Sequence, residues 1–436
     1  MSSHAAWPFL PQKRNKVVAR AEGAYLYLED GSKILDAAGG AIVANIGHGV
    51  EEVAEAVKAA LLNCSYVVPG WVTDQRAKLM EELTEHWLPA HLTRAHFTSG
   101  GSEGNESAVK IAIQYHVSRG DSKRNVILAR DISYHGTTIS TAAISGHPIR
   151  KRGLEAILQE YPRIQTPYPL RCPLGQHHVD ATDYYIHNLE ETISTIGAEN
   201  IAALIAEPLN GSSGGAITPP DGYWPRAQEI LRQHGILLII DEVMTGFGRT
   251  GVKFGSDLYG IKPDLMVAGK GLAGGYAAIC GVFGTDEIAD SIVDAGLNVM
   301  FHTFAALPQS CAAAVSVLQI LRRDALVQRA GEMGQQLKSA LNDRLSQHPL
   351  VAEIRGEGML IGIEVVEDRA TLKPFNRDRR ITDRLVGFGM ENGIFFYPGG
   401  TGDVRDIICI GAPFIIGETE IDLMVDILES GLNQLL

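Results

Sequence analysis

The sequence predicts an α/β protein built around a mostly parallel sheet. Short apolar runs that suit strands alternate with segments of helical periodicity between about residues 56 and 320, and this alternation is typical of βα units. Three of the runs, Ile201–Ala206, Ile236–Ile240 and Leu265–Ala268, are unbroken rather than alternating, as expected of strands that are buried on both faces. The sequence therefore favours a sheet covered by helices on both sides.

Length, charge and cysteine content limit which classes of protein this sequence fits. The chain has 436 residues and a net charge of -13, so it is long enough for two domains and unsuited to nucleic acid or an anionic membrane as partner. The five cysteines are scattered and never form C-x-x-C, which favours reduced thiols. We find no signal-peptide core and no uncharged apolar run long enough to span a membrane, and we expect a cytoplasmic protein.

Two of the predicted strands deliver reactive side chains at their carboxyl ends. The run Ile236–Ile240 leads into Asp241, and the run Leu265–Ala268 leads into Gly269 and then Lys270. Open α/β sheets bind ligands at this edge. A carboxylate beside an amine is what pyridoxal phosphate chemistry requires, since the amine binds the aldehyde and the acid keeps the pyridine nitrogen protonated.

Two other interpretations of this stretch were weighed. An acid at the end of a strand, such as the Asp-Glu pair here, is by itself more often a capping or ion-paired residue than a catalytic one. The glycines of Gly269–Gly274 also match the G-x-G-x-x-G pattern of dinucleotide sites. That pattern requires an acid about 20 residues on, whereas Asp286 comes earlier, and the bulk of Lys270 lies where a pyrophosphate would approach. The sequence disfavours a nucleotide site.

The stretch DEVMTGFGRTG followed by PDLMVAGKGL resembles the class III (omega-type) pyridoxal-phosphate aminotransferases, in particular their amine:pyruvate-like subgroup. The resemblance implies fold type I, with a mostly parallel, seven-stranded large domain and a smaller α+β domain. It also implies that Lys270 forms the Schiff base, that Asp241 faces the pyridine nitrogen and that Val243 packs on the ring. Met244 stands where relatives more often have Gln or Ile, which leaves its contact with the ring hydroxyl open.

A glycine-rich helix start predicts an anion site. The sequence FTSGGSEGNE precedes the apolar face of a helix, and free N–H groups at a helix start bind anions. Taken alone, this motif is better explained as a serine cap with glycines for the turn. The resemblance, through the family pattern G-S-E-x-N-E, implies instead that Gly101 and Ser102 hold the cofactor phosphate.

The triplet Tyr134-His135-Gly136 supplies two more expected cofactor contacts, Tyr134 and His135. The resemblance implies that Tyr134 lies flat on the pyridine ring, where stacking adds about 0.5–1.5 kcal/mol beyond burial. Relatives acting on 4-aminobutyrate or ornithine have Arg after the glycine, whereas Thr137 stands here, so a charged carboxylate clamp is missing at this position. Glu207 matches a pocket glutamate whose role differs among subgroups.

Substrate contacts and the partner subunit are also implied by the resemblance. Ile42 and Val43 correspond to an amino-terminal segment that lines the substrate pocket. Trp71 is favoured as a packing aromatic, but relatives use its segment at the dimer interface, so it stays a candidate substrate contact. Thr303, in the segment MFHTF, corresponds to a threonine that reaches the phosphate of the neighbouring subunit. The sequence therefore implies a homodimer with shared active sites.

A carboxylate-binding arginine near the carboxyl terminus is left open. Many relatives carry a mobile Arg about ten residues before a segment that corresponds to Ala412–Phe414. That count lands here on Gly402, and the nearest arginine is Arg405. Either the loop is shifted and Arg405 binds the substrate carboxylate, or the chain lacks such an arginine. No metal site is expected, because the His and Cys residues of the Pro-rich stretch 163–183 lack zinc-ligand spacing.

These inferences combine into a functional hypothesis. We predict an amino-terminal arm with part of the small domain at 1–55, a large domain at 56–320 that binds pyridoxal phosphate, and a carboxy-terminal small domain at 321–436. The predicted activity is ping-pong transfer of an amino group from a primary amine or omega-amino acid to pyruvate or 2-oxoglutarate. A racemase or epimerase of amino acids or lactams, which would keep Lys270 and Asp241, is the alternative, and a nicotinamide oxidoreductase is a distant third.

Overall fold

The structure, a computed structural model, describes residues 16–436. The strands are labelled in chain order, and two of them, β6 and β13, have only two residues. They are β1 Val18–Glu22, β2 Tyr25–Leu28, β3 Lys33–Asp36, β4 Arg94–Thr98, β5 Val126–Arg130, β6 Arg163–Ile164, β7 Ile201–Ala206, β8 Leu237–Asp241, β9 Leu265–Ala268, β10 Cys280–Gly284, β11 Val351–Glu357, β12 Leu360–Val365, β13 Ile394–Phe395, β14 Tyr397–Thr401 and β15 Val404–Ile410.

The helices range from single turns to a helix of 20 residues. They are α1 Gly39–Ile42, α2 Glu51–Asn63, α3 Asp74–Glu82, α4 Gly101–Ser118, α5 Ile139–Ile144, α6 Pro148–Lys151, α7 Ala181–Ile196, α8 Tyr223–Gln233, α9 Gly255–Leu258, α10 Asp286–Asp294, α11 Pro308–Arg323, α12 Leu326–Leu345, α13 Ile381–Glu391 and α14 Glu418–Asn433.

The large domain is organised around a seven-stranded sheet in the order β4-β10-β9-β8-β7-β5-β6. Strands β5 to β9 pair in parallel, and β10 runs antiparallel to both of its neighbours. The predicted α/β class with a mostly parallel sheet of seven strands is confirmed. The carboxyl ends of five parallel strands consequently meet at one edge.

Helices cover both faces of this sheet, which explains the unbroken apolar runs. Every residue of β7, β8 and β9 is buried. Leu204 and Leu238 pack with residues of α7 and α8 on one face, whereas Ile205 and Ile239 pack with residues of α4 on the other. Successive strand residues point to opposite faces, so a strand between two helix layers is apolar throughout.

Two smaller sheets lie outside the central one. One has the order β1-β2-β3-β13 and the other β11-β12-β15-β14. In the first sheet, Leu35 of β3 pairs in parallel with Ile394 of β13, so the start of the described chain joins its carboxy-terminal part. The domain division at residues 55 and 320 stays a prediction.

Buried arginine–carbonyl contacts fasten the smaller domain to the loop after β7. Arg355 of β11 donates to the carbonyl oxygens of Gly215 at 2.8 Å and Gly214 at 2.6 Å, and to Glu364 Oε2 at 2.7 Å. A buried guanidinium requires such partners, because removing it from water unpaired is costly. The contact fixes a loop whose Ser212 lines the cavity described below.

Candidate active site

A cavity of about 290 Å³ opens at the carboxyl ends of the parallel strands. Loops after β4, β5, β7, β8 and β9 form its walls, as expected for a ligand site in an open α/β sheet. Its lining residues are Val43, Ser99, Gly100, Gly101, Ser102, Asn105, Tyr134, His135, Gly136, Glu207, Ser212, Asp241, Val243, Met244, Lys270, Ala277, Ala278 and Ile279.

Asp241 is a buried carboxylate at the floor of this cavity. Its Oδ2 accepts hydrogen bonds from Asn105 Nδ2 at 2.7 Å and faces His135 Nδ1 at 2.9 Å, while its Oδ1 accepts from the Val243 N–H at 2.9 Å. These partners satisfy a group that would otherwise be costly to bury. The next acid, Glu242, points away and accepts hydrogen bonds from the N–H groups of Gly255 and Ser256. Of the two consecutive acids, only Asp241 therefore lines the cavity.

Lys270 reaches the same cavity from the turn after β9. Its φ of 44° lies in the left-handed region, which a non-glycine residue adopts only when its surroundings impose it. Burial lowers the pKa of Lys270 from its ordinary value of 10.5 to about 8, while the Asp241 carboxylate acts in the opposite direction. The amine is therefore neutral in an appreciable fraction of molecules near neutral pH.

The start of α4 forms the opposite wall. Gly100 is extended and α4 begins at Gly101, so the first N–H groups of the helix point into the cavity region without intrahelical acceptors. A Cβ at Gly101 would lie 2.8 Å from Val243 Cγ1, and one at Gly136, whose φ is 145°, would lie 2.6 Å from Ser102 Oγ. The glycines thus let three loops approach one another closely at this end of the cavity.

Tyr134, Glu207 and Met244, three more of the predicted cofactor contacts, also line the cavity. Tyr134 is half-buried, and burial raises the pKa of its hydroxyl. Burial raises the pKa of Glu207 to about 7, and its oxygens accept from the Gly211 N–H at 3.0 Å and Asn210 Nδ2 at 3.2 Å. Glu207 thereby orders the loop that also supplies Ser212 to the cavity wall.

Of the two apolar residues expected in the substrate pocket, Val43 lines the cavity and Ile42 does not. Ile42 is buried in an apolar cluster with residues such as Leu360 and Cys409, while its neighbour Val43 lines the cavity. The difference arises because Ile42 adopts a positive φ of 58° at the end of a kinked turn, which turns the two side chains apart. Sequence order alone could not distinguish Ile42 from Val43.

Arg405 and Trp71 do not line the cavity of this chain. Arg405 pairs with Asp403 at 3.3 Å and donates to the carbonyl oxygen of Phe375, so its guanidinium is engaged within the smaller domain. Trp71 has 68% of its surface exposed. Thr303 is also exposed and lies in an irregular segment, and its contact with a second subunit stays a prediction.

Several lining residues were not selected from the sequence. Asn105 stands one helical turn after Gly101 on α4, and this i, i+4 spacing was the available signal. Its Nδ2 bonds both Asp241 and the carbonyl oxygen of His135. Ser212 and the segment Ala277–Ile279 carry no recognisable motif and enter the wall only through the tertiary fold.

Among residues 16–436, no helix is long and apolar enough to cross a membrane. In the same range, His, Cys, Asp and Glu side chains do not gather in threes or more in a way that could hold a metal ion.

Comparison with known proteins identifies the family. The family model described as "Aminotransferase class-III" matches residues 10–432. The chain belongs to the class III aminotransferases. It is 36% identical to the uncharacterized aminotransferase YodT of Bacillus subtilis (strain 168), over 98% of this chain and 97% of that protein.

Two other comparisons bear on the activity of this aminotransferase. The putrescine–pyruvate aminotransferase of Pseudomonas aeruginosa is 31% identical, over 98% of this chain and 92% of that protein. The structure of an amine transaminase from an uncultivated Pseudomonas species, solved in its pyridoxal-phosphate-bound form, superposes with a TM-score of 0.93 at 32% identity, over 100% of this chain and 99% of that one. The chain is therefore a fold-type I transaminase, and the racemase alternative is not supported.

Class III aminotransferases depend on pyridoxal phosphate, and the cavity of this chain fits that cofactor. The amine of Lys270 suits an aldehyde, the buried carboxylate of Asp241 suits a protonated ring nitrogen and the start of α4 suits a phosphate. His135 Nε2 and Asn105 Oδ1 are buried without a hydrogen-bond partner. Such unsatisfied atoms are unusual, and here they lie in the wall that the ring would face.

The shifted pKa of Lys270 gives a direct test. In cofactor-free protein, the rate of Lys270 acetylation by acetic anhydride should rise with pH to half its plateau near pH 8, since only the neutral amine reacts and burial lowers its pKa to about 8. Peptide mass spectrometry measures this rate, with the exposed Lys262 in the same digest as reference. Asp241→Asn should move the midpoint down. A Lys270 profile that still climbs steeply above about pH 9 contradicts the prediction.

Proposed function

We propose that this aminotransferase transfers an amino group from a primary amine or omega-amino acid to a 2-oxo acid, with pyruvate or 2-oxoglutarate as acceptor. The observation that carries the proposal is the convergence of Lys270 and Asp241 on one cavity beside a helix start. The relative named for putrescine and pyruvate supports an amine donor and favours pyruvate. Two substrates that use one site in turn imply ping-pong kinetics.

Named residues of this chain would hold the cofactor. Lys270 would bind its aldehyde covalently, Asp241 its ring nitrogen, and Gly101 with Ser102 its phosphate. Val243 and Tyr134 would flank the ring. Met244 lines the same cavity and would contact the ring edge. When bound, pyridoxal phosphate supplies an electron sink for the pair released from the amine-bearing carbon.

The protein side of the chemistry is proton transfer by Lys270. Once the substrate amine has displaced Lys270, its Nζ would take the proton from the amine-bearing carbon of the substrate. It would then deliver that proton to the cofactor carbon to which the amine is bound. A general base works best with a pKa near the operating pH, and burial lowers the pKa of Lys270 to about 8. The hydrogen bonds from Asn105 and the Val243 N–H orient the Asp241 carboxylate toward the ring position.

His135 and Glu207 would support this arrangement from behind. His135 contacts Asp241 Oδ2 through Nδ1 at 2.9 Å, so it fixes the carboxylate rather than the ring directly. Glu207 is tied to Asn210 and Gly211, which holds the loop that closes the cavity. Both residues are buried, so small displacements of either would be transmitted to the site.

A homodimer with shared active sites is supported by two adjacent segments that expose apolar side chains. Arg76 donates to the Pro69 carbonyl oxygen at 2.6 Å and to that of Ala306 at 3.3 Å, so the segments around residues 69 and 306 lie side by side. Both segments expose apolar side chains, and such patches mark interaction sites. The most exposed of them are Trp71, Val72, Met300 and Phe304, at 68%, 78%, 77% and 62%.

The same surface carries Thr303, which we propose faces the cofactor phosphate of the neighbouring subunit. Trp71 would reach the neighbouring substrate pocket from the adjoining segment. We further propose the domain division at residues 55 and 320 and a cytoplasmic location, supported by the free thiols of all five cysteines and the acidic net charge of -13. Reduced thiols are typical of that compartment.

The activity is tested by a half-reaction. Cofactor-loaded protein mixed with a single amine, such as putrescine, and no 2-oxo acid should lose its visible cofactor band and recover it when pyruvate is added. Lys270→Ala should bind the cofactor without a borohydride-reducible bond and lose almost all turnover, because both the covalent link and the base are gone. Lys262→Ala is the control. Normal turnover by the Lys270→Ala protein excludes the assignment.

The role of Asp241 is tested separately. Asp241→Asn keeps the side-chain shape but removes the charge beside the ring nitrogen, so the single-turnover rate with an amine should fall by about 10²–10³-fold. Stopped-flow absorbance measures this rate, and thermal unfolding checks that the protein remains folded. Asp221→Asn on the protein surface serves as control. A rate equal to that of the wild type would show that the strand-end acid does not act on the cofactor.

The dimer is tested by placing a charge on the proposed interface. Phe304→Glu should yield a monomer in sedimentation velocity, since burying an unpaired carboxylate at an interface costs several kcal/mol. Activity should fall with the dimer, because each site would lose the partner's contribution. Val179→Glu, at a position with 90% exposure, should leave both properties unchanged. A Phe304→Glu protein that remains a fully active dimer places the interface elsewhere.

A further inference from the structure

The cavity lacks a cation for a substrate carboxylate. Its charged lining residues are Glu207, Asp241 and Lys270, and no arginine of the described range 16–436 is among them. Lys270 is committed to the reacting centre. A 2-oxo acid nevertheless brings a carboxylate, whose desolvation in a site that already holds two acids is unfavourable without a partner. A cation at the rim of the cavity would supply this partner.

Three arginines around the cavity are already engaged. Arg130 donates to the Glu207 carbonyl oxygen at 2.9 Å and lies 4.7 Å from the Trp224 ring. Arg249 donates to the carbonyl oxygens of Ala44 at 2.8 Å and Ala412 at 2.6 Å. Both are buried. Arg405 is held by Asp403 and Phe375, as described above. Burial keeps Arg130 and Arg249 from a substrate, although Arg130 Nε and Nη2 lack a hydrogen-bond partner, and Arg405 is held by its two contacts.

Arg150 differs from these three. It lies on α6, and its guanidinium carbon stands 4.5 Å from the centroid of the Tyr134 ring, which itself lines the cavity. Arg150 is exposed, and no carboxylate within residues 16–436 forms an ion pair with it. Burial is the main cause of the lowered pKa of Lys270, and the positive charge of Arg150 lowers it further. The two groups therefore interact electrostatically.

The neighbours of Arg150 do not share this placement. Lys151 folds onto the Ala143 carbonyl oxygen at 2.8 Å, away from Tyr134. Arg152 is exposed and lies beyond the end of α6. The basic cluster at residues 150–152, which by sequence suits a solvated surface, therefore contains one member that contacts a side chain of the cavity wall, Tyr134. An aromatic face beneath a guanidinium holds it by a cation–π contact, and the planar fork has five N–H donors, so several remain for a further partner.

We propose that Arg150 binds the carboxylate of the 2-oxo acid acceptor at the mouth of the cavity. The inference rests on the proposed transaminase function and specifies its acceptor side. A guanidinium can present two parallel N–H donors to a carboxylate, and Tyr134 orients it toward the substrate. Arg150 would thus supply the charged clamp that is missing after the Tyr134-His135-Gly136 triplet, where Thr137 stands.

The test compares a charged with an uncharged acceptor, using the cofactor-loaded enzyme and one amine donor. For Arg150→Met, KM for pyruvate should rise about tenfold to a hundredfold, because a charge-assisted pair is lost, while kcat/KM for butanal should stay within about twofold. Arg150→Lys should be intermediate, since it keeps the charge but not the paired donors. Arg152→Met should match the wild type with both acceptors.

A binding measurement gives a second readout. Calorimetric titration of cofactor-loaded protein with propionate, which has no carbonyl to react, should show binding to the wild type and to Arg152→Met but not to Arg150→Met. Equal losses with pyruvate and butanal would show that Arg150 merely supports Tyr134, and unchanged KM for pyruvate would also overturn the proposal. A wild type that transfers no amino group would refute the proposed function, and the propionate titration would then decide on Arg150 alone.

Discussion

The register between β8 and β9 is the constraint on which the site depends. Asp241, the last residue of β8, pairs with Val267, which lies three residues before Lys270. Neighbouring strands are about 4.8 Å apart, so this register delivers the carboxylate and the amine to one cavity. A slip of one residue would turn the side chain of Asp241 toward the opposite helix layer. Parallel pairing, full burial and helix cover on both faces fix the register.

Burying acids at this edge requires that every one of them be paired. Asp241 is satisfied by Asn105, His135 and a backbone N–H, and Glu242 by the start of α9. The raised pKa of Glu207 reflects its burial and the nearby Asp241 charge. The polar residues around the cavity are therefore coupled, because changing one leaves a partner unpaired in a low-dielectric setting. Such networks hold reactive groups in place.

The smaller domain and the amino-terminal part pack behind the turn that carries Lys270, through hydrogen bonds to backbone carbonyl oxygens. Asn45 donates to the Gly271 carbonyl oxygen at 2.9 Å, directly after Lys270, and its own carbonyl oxygen accepts from the Phe414 N–H at 2.8 Å. Arg249 joins the same region through Ala44 and Ala412. Segments that are more than 350 residues apart in the chain therefore converge behind the turn that carries Lys270. The turn's left-handed backbone at Lys270 is held by these neighbours.

The sequence by itself determined the α/β class, the strands β7 to β9 and the Asp241–Lys270 pair. Unbroken apolar runs indicate strands buried on both faces, and the residues that follow each run mark its carboxyl end. It also marked the helix start at Gly101. Only the tertiary structure decided that Val43 rather than Ile42 enters the wall, that Arg405 is engaged elsewhere and that Arg150 faces Tyr134. Side-chain direction in loops depends on backbone angles and on partners distant in sequence, such as the Phe375 carbonyl oxygen for Arg405. Local periodicity carries no information about either.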